Sequence, residues 1–165
     1  MAAHPCWGAG FGGSTLRKRS GVVKKIERSA LVAFSRQQMF ALVNDIESYP
    51  QYMAGCVGAK ILSRGDDWLE ARLVHSSAGF KQSFITRNQL VEPSSMKMSL
   101  VEGPFKTLQG EWSFQALSDS ACKVLFSLEY AFSNRLFGMA AGAVFEKIAS
   151  EQVHSLCERA KAIYV

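Results

Sequence analysis

From Val57 to Phe132 apolar and polar residues alternate with a period of two, the repeat of a strand with one buried face. The apolar-side sets are Leu69, Ala71, Leu73 and His75; Phe80, Gln82, Phe84, Thr86 and Asn88; Met96, Met98 and Leu100; Leu108, Gly110, Trp112, Phe114 and Ala116; and Val124, Phe126, Leu128, Tyr130 and Phe132. The opposite face carries Lys81, Ser83 and Arg87, then Lys97 and Ser99, then Gln109, Glu111, Ser113 and Gln115, then Lys123, Ser127 and Glu129. Turn residues fall at Gly65-Asp66-Asp67, Ser77 to Gly79, Glu92-Pro93-Ser94, Gly103-Pro104 and Asp119-Ser120. Such spacing predicts six consecutive antiparallel strands joined as hairpins, with one face wet.

The period changes on either side of this meander. Val22 to Ala33 is rich in β-branched residues and predicts a first strand; Ser35 then caps a short helix over Arg36 to Asn44 with Met39, Phe40 and Val43 turned inward. Asp45 to Cys56 predicts a second short helix interrupted at Tyr49-Pro50, with Tyr49, Tyr52 and Met53 as aromatic and apolar surface. At the far end, Ser133 to Tyr164 predicts one long helix. Its apolar stripe is Phe145, Ala149, Val153, Leu156, Ala160 and Ile163, at steps of three and four. The sum is an α+β domain over residues 22–165, in which a curved antiparallel sheet of about seven strands grips a long C-terminal helix. Residues 1–21 are glycine-rich, lack acids and show neither period, which predicts a disordered or over-long N-terminal extension.

Composition narrows the function. The formal charge of +5 is uneven: six Lys/Arg and one acid lie up to Arg28, and thirteen of each follow. A basic end on a neutral domain is not the uniformly basic face of a dedicated DNA reader, and no DNA partner is expected. The cysteines Cys6, Cys56, Cys122 and Cys157 form no CxxC pair and no metal-like cluster with His4, His75 or His154, so free thiols and no metal are expected. No apolar run reaches the roughly 20 residues of a spanning helix. The expected protein is soluble, or peripheral to a membrane.

An apolar concave face with a few placed polar groups has the character of a small-molecule pocket. His75, Gln82 and Thr86 are the candidate hydrogen-bonding groups; Phe84, Met98, Trp112 and Phe126 are the candidate apolar lining. Leu136 to Phe145 carries Gly138, Gly142 and little side-chain bulk, so Met139 and Gly142 are expected on the helix side of that pocket. Close helix-to-sheet packing is the competing explanation of the glycines. His75 has no Ser or Cys nucleophile motif near it, Asp66-Asp67 belongs to a turn, and GxGxxG and the P-loop are absent. No enzyme is expected.

Three segments, VNDIESYPQYMAGC from Val43, SFITRNQL from Ser83 and VEGPFKTLQGEWSF from Val101, stand in this order before the long helix. Together they resemble the family of ribosome association toxin RatA and the coenzyme Q-binding proteins, over roughly Val22 to Tyr164. The resemblance implies a START-like helix-grip fold with a ligand cavity between sheet and helix and no catalytic machinery. It implies either ubiquinone or a similar isoprenoid lipid as bound ligand, in support of respiration, or binding to the large ribosomal subunit that blocks its association with the small one, or both. The compact form resembles the bacterial branch more than the mitochondrial one, which implies a cytoplasmic protein, with peripheral contact at the inner membrane, and a mitochondrial location as the alternative. The chain departs from the family pattern at Ala54, where many relatives carry proline.

Overall fold

The computed structural model describes residues 23–165; the extension expected at 1–21 and the start of the first strand at Val22 lie outside the described residues. The elements are β1 (Lys24–Val32), α1 (Arg36–Asn44), a 3-10 helix (Ile46–Gln51), β2 (Cys56–Arg64), β3 (Trp68–Ser77), β4 (Phe80–Val91), β5 (Ser95–Glu102), β6 (Phe105–Ser118), β7 (Ala121–Phe132), α2 (Arg135–Ser150) and α3 (Gln152–Tyr164). All seven strands form one antiparallel sheet in the order β1-β7-β6-β5-β4-β3-β2. Every sequence-adjacent pair from β2 to β7 is a hairpin, and only β1 crosses over, pairing with β7 from Lys24↔Tyr130 to Val32↔Cys122. This is the helix-grip arrangement expected from the alternation.

Local chemistry accounts for the element ends. Ser35 Oγ accepts from Gln38 N at 3.2 Å while Gln38 Oε1 accepts from Ser35 N at 2.9 Å, a reciprocal capping box that sets the start of α1 where the sequence places it. Asn134 caps α2 by accepting from the backbone N–H groups of Leu136 and Phe137. Gly55 has φ +71°, and a Cβ there would sit 2.7 Å from Ile148 Cδ1, so only glycine lets this loop pass under the helix.

Three expectations need correction. The C-terminal helix is not continuous: it breaks at Glu151, whose N–H turns to Ile148 O at 3.2 Å. Ser150 Oγ donates to Glu146 O at 2.7 Å, and Gln152 Nε2 donates to Ile148 O at 2.8 Å and to Ala54 O at 3.3 Å. Side chains that take the ladder's carbonyls bend a helix. Tyr49 and Tyr52 are not outward surface but turn in, each hydroxyl donating to α1, to Val43 O and Leu42 O respectively. Ile163, expected on the buried stripe, is about half exposed, whereas Val153, Leu156 and Ala160 are buried.

Candidate functional site

The concave face of the sheet and the kinked helix enclose a small cavity of about 70 Å³. Its wall is built from every layer: Tyr49 and Met53 from the 3-10 helix and its exit, His75 from β3, Phe84 and Thr86 from β4, Met98 from β5, Trp112 from β6, Phe126 from β7, and Phe145, Ile148 and Gln152 from the helices. Drug-sized ligands occupy pockets of about 300–1,000 Å³.

Aromatic packing explains why so little space remains. Phe145 projects from α2 into a ring cluster, with centroids 4.7 Å from Tyr130, 5.1 Å from Phe105 and 5.8 Å from Phe132. Trp112 lies 4.5 Å from Phe126. The Phe145 contacts seat the helix on the sheet by burying large apolar area in tilted and edge-on geometry, and the Trp112–Phe126 pair packs within the sheet face.

The polar groups divide into two kinds. Thr86 Oγ1 donates to Asn88 Oδ1 at 2.8 Å and Asn88 Nδ2 reaches Met96 Sδ at 3.5 Å, so these two buried residues largely satisfy each other. His75 and Gln82 face each other across β3 and β4, yet His75 Nδ1 and Gln82 Oε1 are both buried without a hydrogen-bond partner. Buried polar atoms ordinarily find partners. His75 packs edge-on to Phe84, with centroids 5.1 Å apart, and lies 6.3 Å from Phe145. Burial among these rings lowers its pKa to about 4, so at neutral pH the imidazole is uncharged and offers one donor and one acceptor.

Of the residues nominated from the sequence, His75, Phe84, Thr86, Met98, Trp112 and Phe126 border the cavity, and Gln82 stands beside His75 outside its wall. Met139 and Gly142 do not border it. Met139 is three-quarters exposed on the outer side of α2. A Cβ built on Gly142 meets nothing within 4 Å, so its small size neither shapes the cavity nor permits a close contact. Gly138 instead lies close to the Phe132 side chain, with its virtual Cβ 3.1 Å from Phe132 Cβ, in keeping with the packing explanation. Gly142→Ala is accordingly expected to raise stability by about 0.5–1 kcal/mol through helix propensity alone, measured by denaturant unfolding. A loss of stability would mean that a neighbour packs on this glycine.

Sequence reasoning missed Ile148 and Gln152. Both follow Phe145 by three and seven positions, on the flank of the predicted stripe, so helical spacing was available to find them. Among the described residues no group of three or more His, Cys, Asp and Glu is arranged to hold a metal, and no helix is long and apolar enough to cross a membrane.

Comparison with known proteins places the geometry. The family model for polyketide cyclase / dehydrase and lipid transport matches residues 32–157. The ribosome association toxin RatA of Escherichia coli (strain K12) is 44% identical over 143 residues, covering 87% of this chain and 90% of the relative. The mitochondrial coenzyme Q-binding protein COQ10 of Drosophila melanogaster is 25% identical over 138 residues, covering 81% of this chain and 57% of its own length. The solved structure of the Zhui aromatase/cyclase from Streptomyces sp. R1128 superposes with a TM-score of 0.74 at 16% identity, covering 85% of this chain and 94% of the other, a likeness of fold.

Proposed function

We propose that this chain, which belongs to the polyketide cyclase / dehydrase and lipid transport family and within it to the RatA and coenzyme Q-binding branch with its START-like fold, is a non-enzymatic ribosome-association factor that binds the large subunit and hinders subunit joining. The observation that carries this is the 44% identity to a protein named ribosome association toxin across nearly the whole of both chains. The cavity's size points the same way. An interior reduced to about 70 Å³ suits a protein whose working surface lies outside. The test is sucrose-gradient sedimentation of subunits incubated with the purified chain at low magnesium and moderate salt. Co-migration with the large subunit and a reduced 70S peak are expected; a chain that stays at the top of the gradient would refute the proposal.

A second function, binding of ubiquinone or a similar isoprenoid lipid, is favoured by one specific feature. His75 Nδ1 is buried and unpaired on the wall of an apolar cavity, where a nitrogen of the uncharged imidazole can donate to a quinone carbonyl. Filling it would require lining side chains to move, since the cavity is several times smaller than such a ligand needs. Solvent extraction of the purified protein followed by mass spectrometry tests this; stoichiometric quinone is the supporting result, and an empty extract is the contrary one.

A further inference from the structure

The outer, convex face of the sheet is electrically divided in a way the sequence order conceals. At paired positions, β2 to β5 turn Lys60, Arg72, Lys81, Arg87 and Lys97 outward against Glu70 and Glu102, five cations to two acids. The outer positions of β6, β7 and β1 carry Lys123 and Lys25 against Glu111, Glu129 and Glu27, two cations to three acids. One half of the same surface is therefore positive, the other slightly negative.

The cations differ in how free they are. Arg87 is engaged within the protein, 3.2 Å from Glu70 and stacked 3.9 Å over the Trp68 ring, and Lys25 lies between Glu27 at 3.2 Å and Glu129 at 3.8 Å. Among the described residues Lys60, Arg72, Lys81 and Lys97 make no ion pair, and all four are exposed. Lys60 and Arg72 are direct cross-strand partners. Like charges placed opposite each other are unfavourable unless something else neutralises them. Outward Ser63, Ser76 and Ser83 lie between these cations and supply neutral donors of the kind that bond phosphate oxygens. Asp66, Asp67 and Glu92 occupy the turns at the Lys97 end, so the positive field is strongest towards Lys60, Arg72 and Lys81.

We infer that the outer face of β2–β5, centred on Lys60, Arg72 and Lys81, is the surface that takes the phosphodiester backbone of ribosomal RNA. This rests on the ribosome-association reading and assigns it a face. The four strands span about 15 Å across at about 4.8 Å spacing, and Lys81 to Arg87 runs about 20 Å along β4, wide enough to meet several phosphates. Backbone contact through exposed cations predicts binding that is weak in sequence preference and steep in salt.

The test compares two charge-matched double variants of the full chain by co-sedimentation with ribosomes across a salt series. Lys60→Glu with Arg72→Glu removes two proposed phosphate contacts; Lys25→Glu with Lys123→Glu makes the same charge change on the other half. The first pair is expected to lower affinity roughly tenfold or more and to reduce the slope of log affinity against log salt by about 1–2, whereas the second should leave the slope at the wild-type value. Unchanged thermal midpoints confirm that both fold. Equal losses in the two variants would reduce the effect to net charge and overturn the assignment. Wild-type association with an unaltered slope in the first variant would overturn it while leaving ribosome association standing, and would direct attention to a protein contact elsewhere. Absence of wild-type association would overturn both.

Discussion

Replacing Phe145 by alanine is expected to lower the stability of the domain by about 3–5 kcal/mol, the usual cost of removing a buried aromatic side chain. The ring is 4% exposed and joins α2 to the sheet through Tyr130, Phe105 and Phe132, while its other face borders the cavity. The neighbours cannot close the gap cheaply, because Tyr130 and Phe105 are themselves held by each other at 6.3 Å and by Phe132. In thermal unfolding the change corresponds to a fall of roughly 10 °C for a domain of this size. Phe145→Leu, which keeps most of the apolar volume, should lose less. A loss of under about 1 kcal/mol in Phe145→Ala would mean that α2 is not seated on the sheet by this residue.

The second large effect is a pH dependence that belongs to His75. Burial disfavours the imidazolium, so the folded-state pKa, about 4, lies below the ordinary value of 6.5. Above pH 6.5 both folded and unfolded chains carry a neutral ring, and the site contributes nothing to pH dependence. Between about 6.5 and 4 the unfolded chain binds a proton that the folded chain refuses, so stability falls as pH falls, by up to about 3 kcal/mol, and levels off below about 4. His75→Leu removes the titration. The wild type should lose stability relative to this variant over that window, as followed by urea unfolding at a series of pH values. Parallel curves for the two proteins would mean that the imidazole can be protonated in place, through water or rearrangement.

The charge segregation and the small cavity together separate two tasks that one family shares. On the proposed readings, RNA contact would use the outside of the sheet and ligand contact the inside, so each could be removed without the other. Lys60→Glu with Arg72→Glu touches no cavity residue, and His75→Leu touches no outward cation.

What the sequence determined by itself was whatever depends on neighbours a few residues away. Alternation from Val57 to Phe132 decided the strands and which side of each is buried, because successive side chains of a strand point to opposite faces. Ser35 with Gln38 decided where α1 begins, and the five turn clusters decided where the strands reverse. His75, Phe84, Thr86, Met98, Trp112 and Phe126 were found at the cavity for the same reason: each has its inward parity in its own strand. Long-range contacts decided the rest. At the Glu151 break the local bonds of Ser150 and Gln152 are joined by two long-range ones, Gln152 Nε2 to Ala54 O and Ala54 N to Ser155 Oγ at 3.2 Å, pairs about a hundred residues apart. That bend brings Ile148 and Gln152 to the cavity. Met139 and Gly142 fall outside it, because which side of the helix N-terminus meets the sheet is set by where Phe132 and Phe145 lodge. The separation of charge across the outer face follows from β1 closing onto β7, which gathers Lys25, Glu27, Glu111 and Glu129 on one half and leaves Lys60, Arg72 and Lys81 on the other. Alternation within one strand fixes the parity of its register, since a one-residue slip would turn the buried face outward, but which strand it pairs with is a property of the assembled sheet.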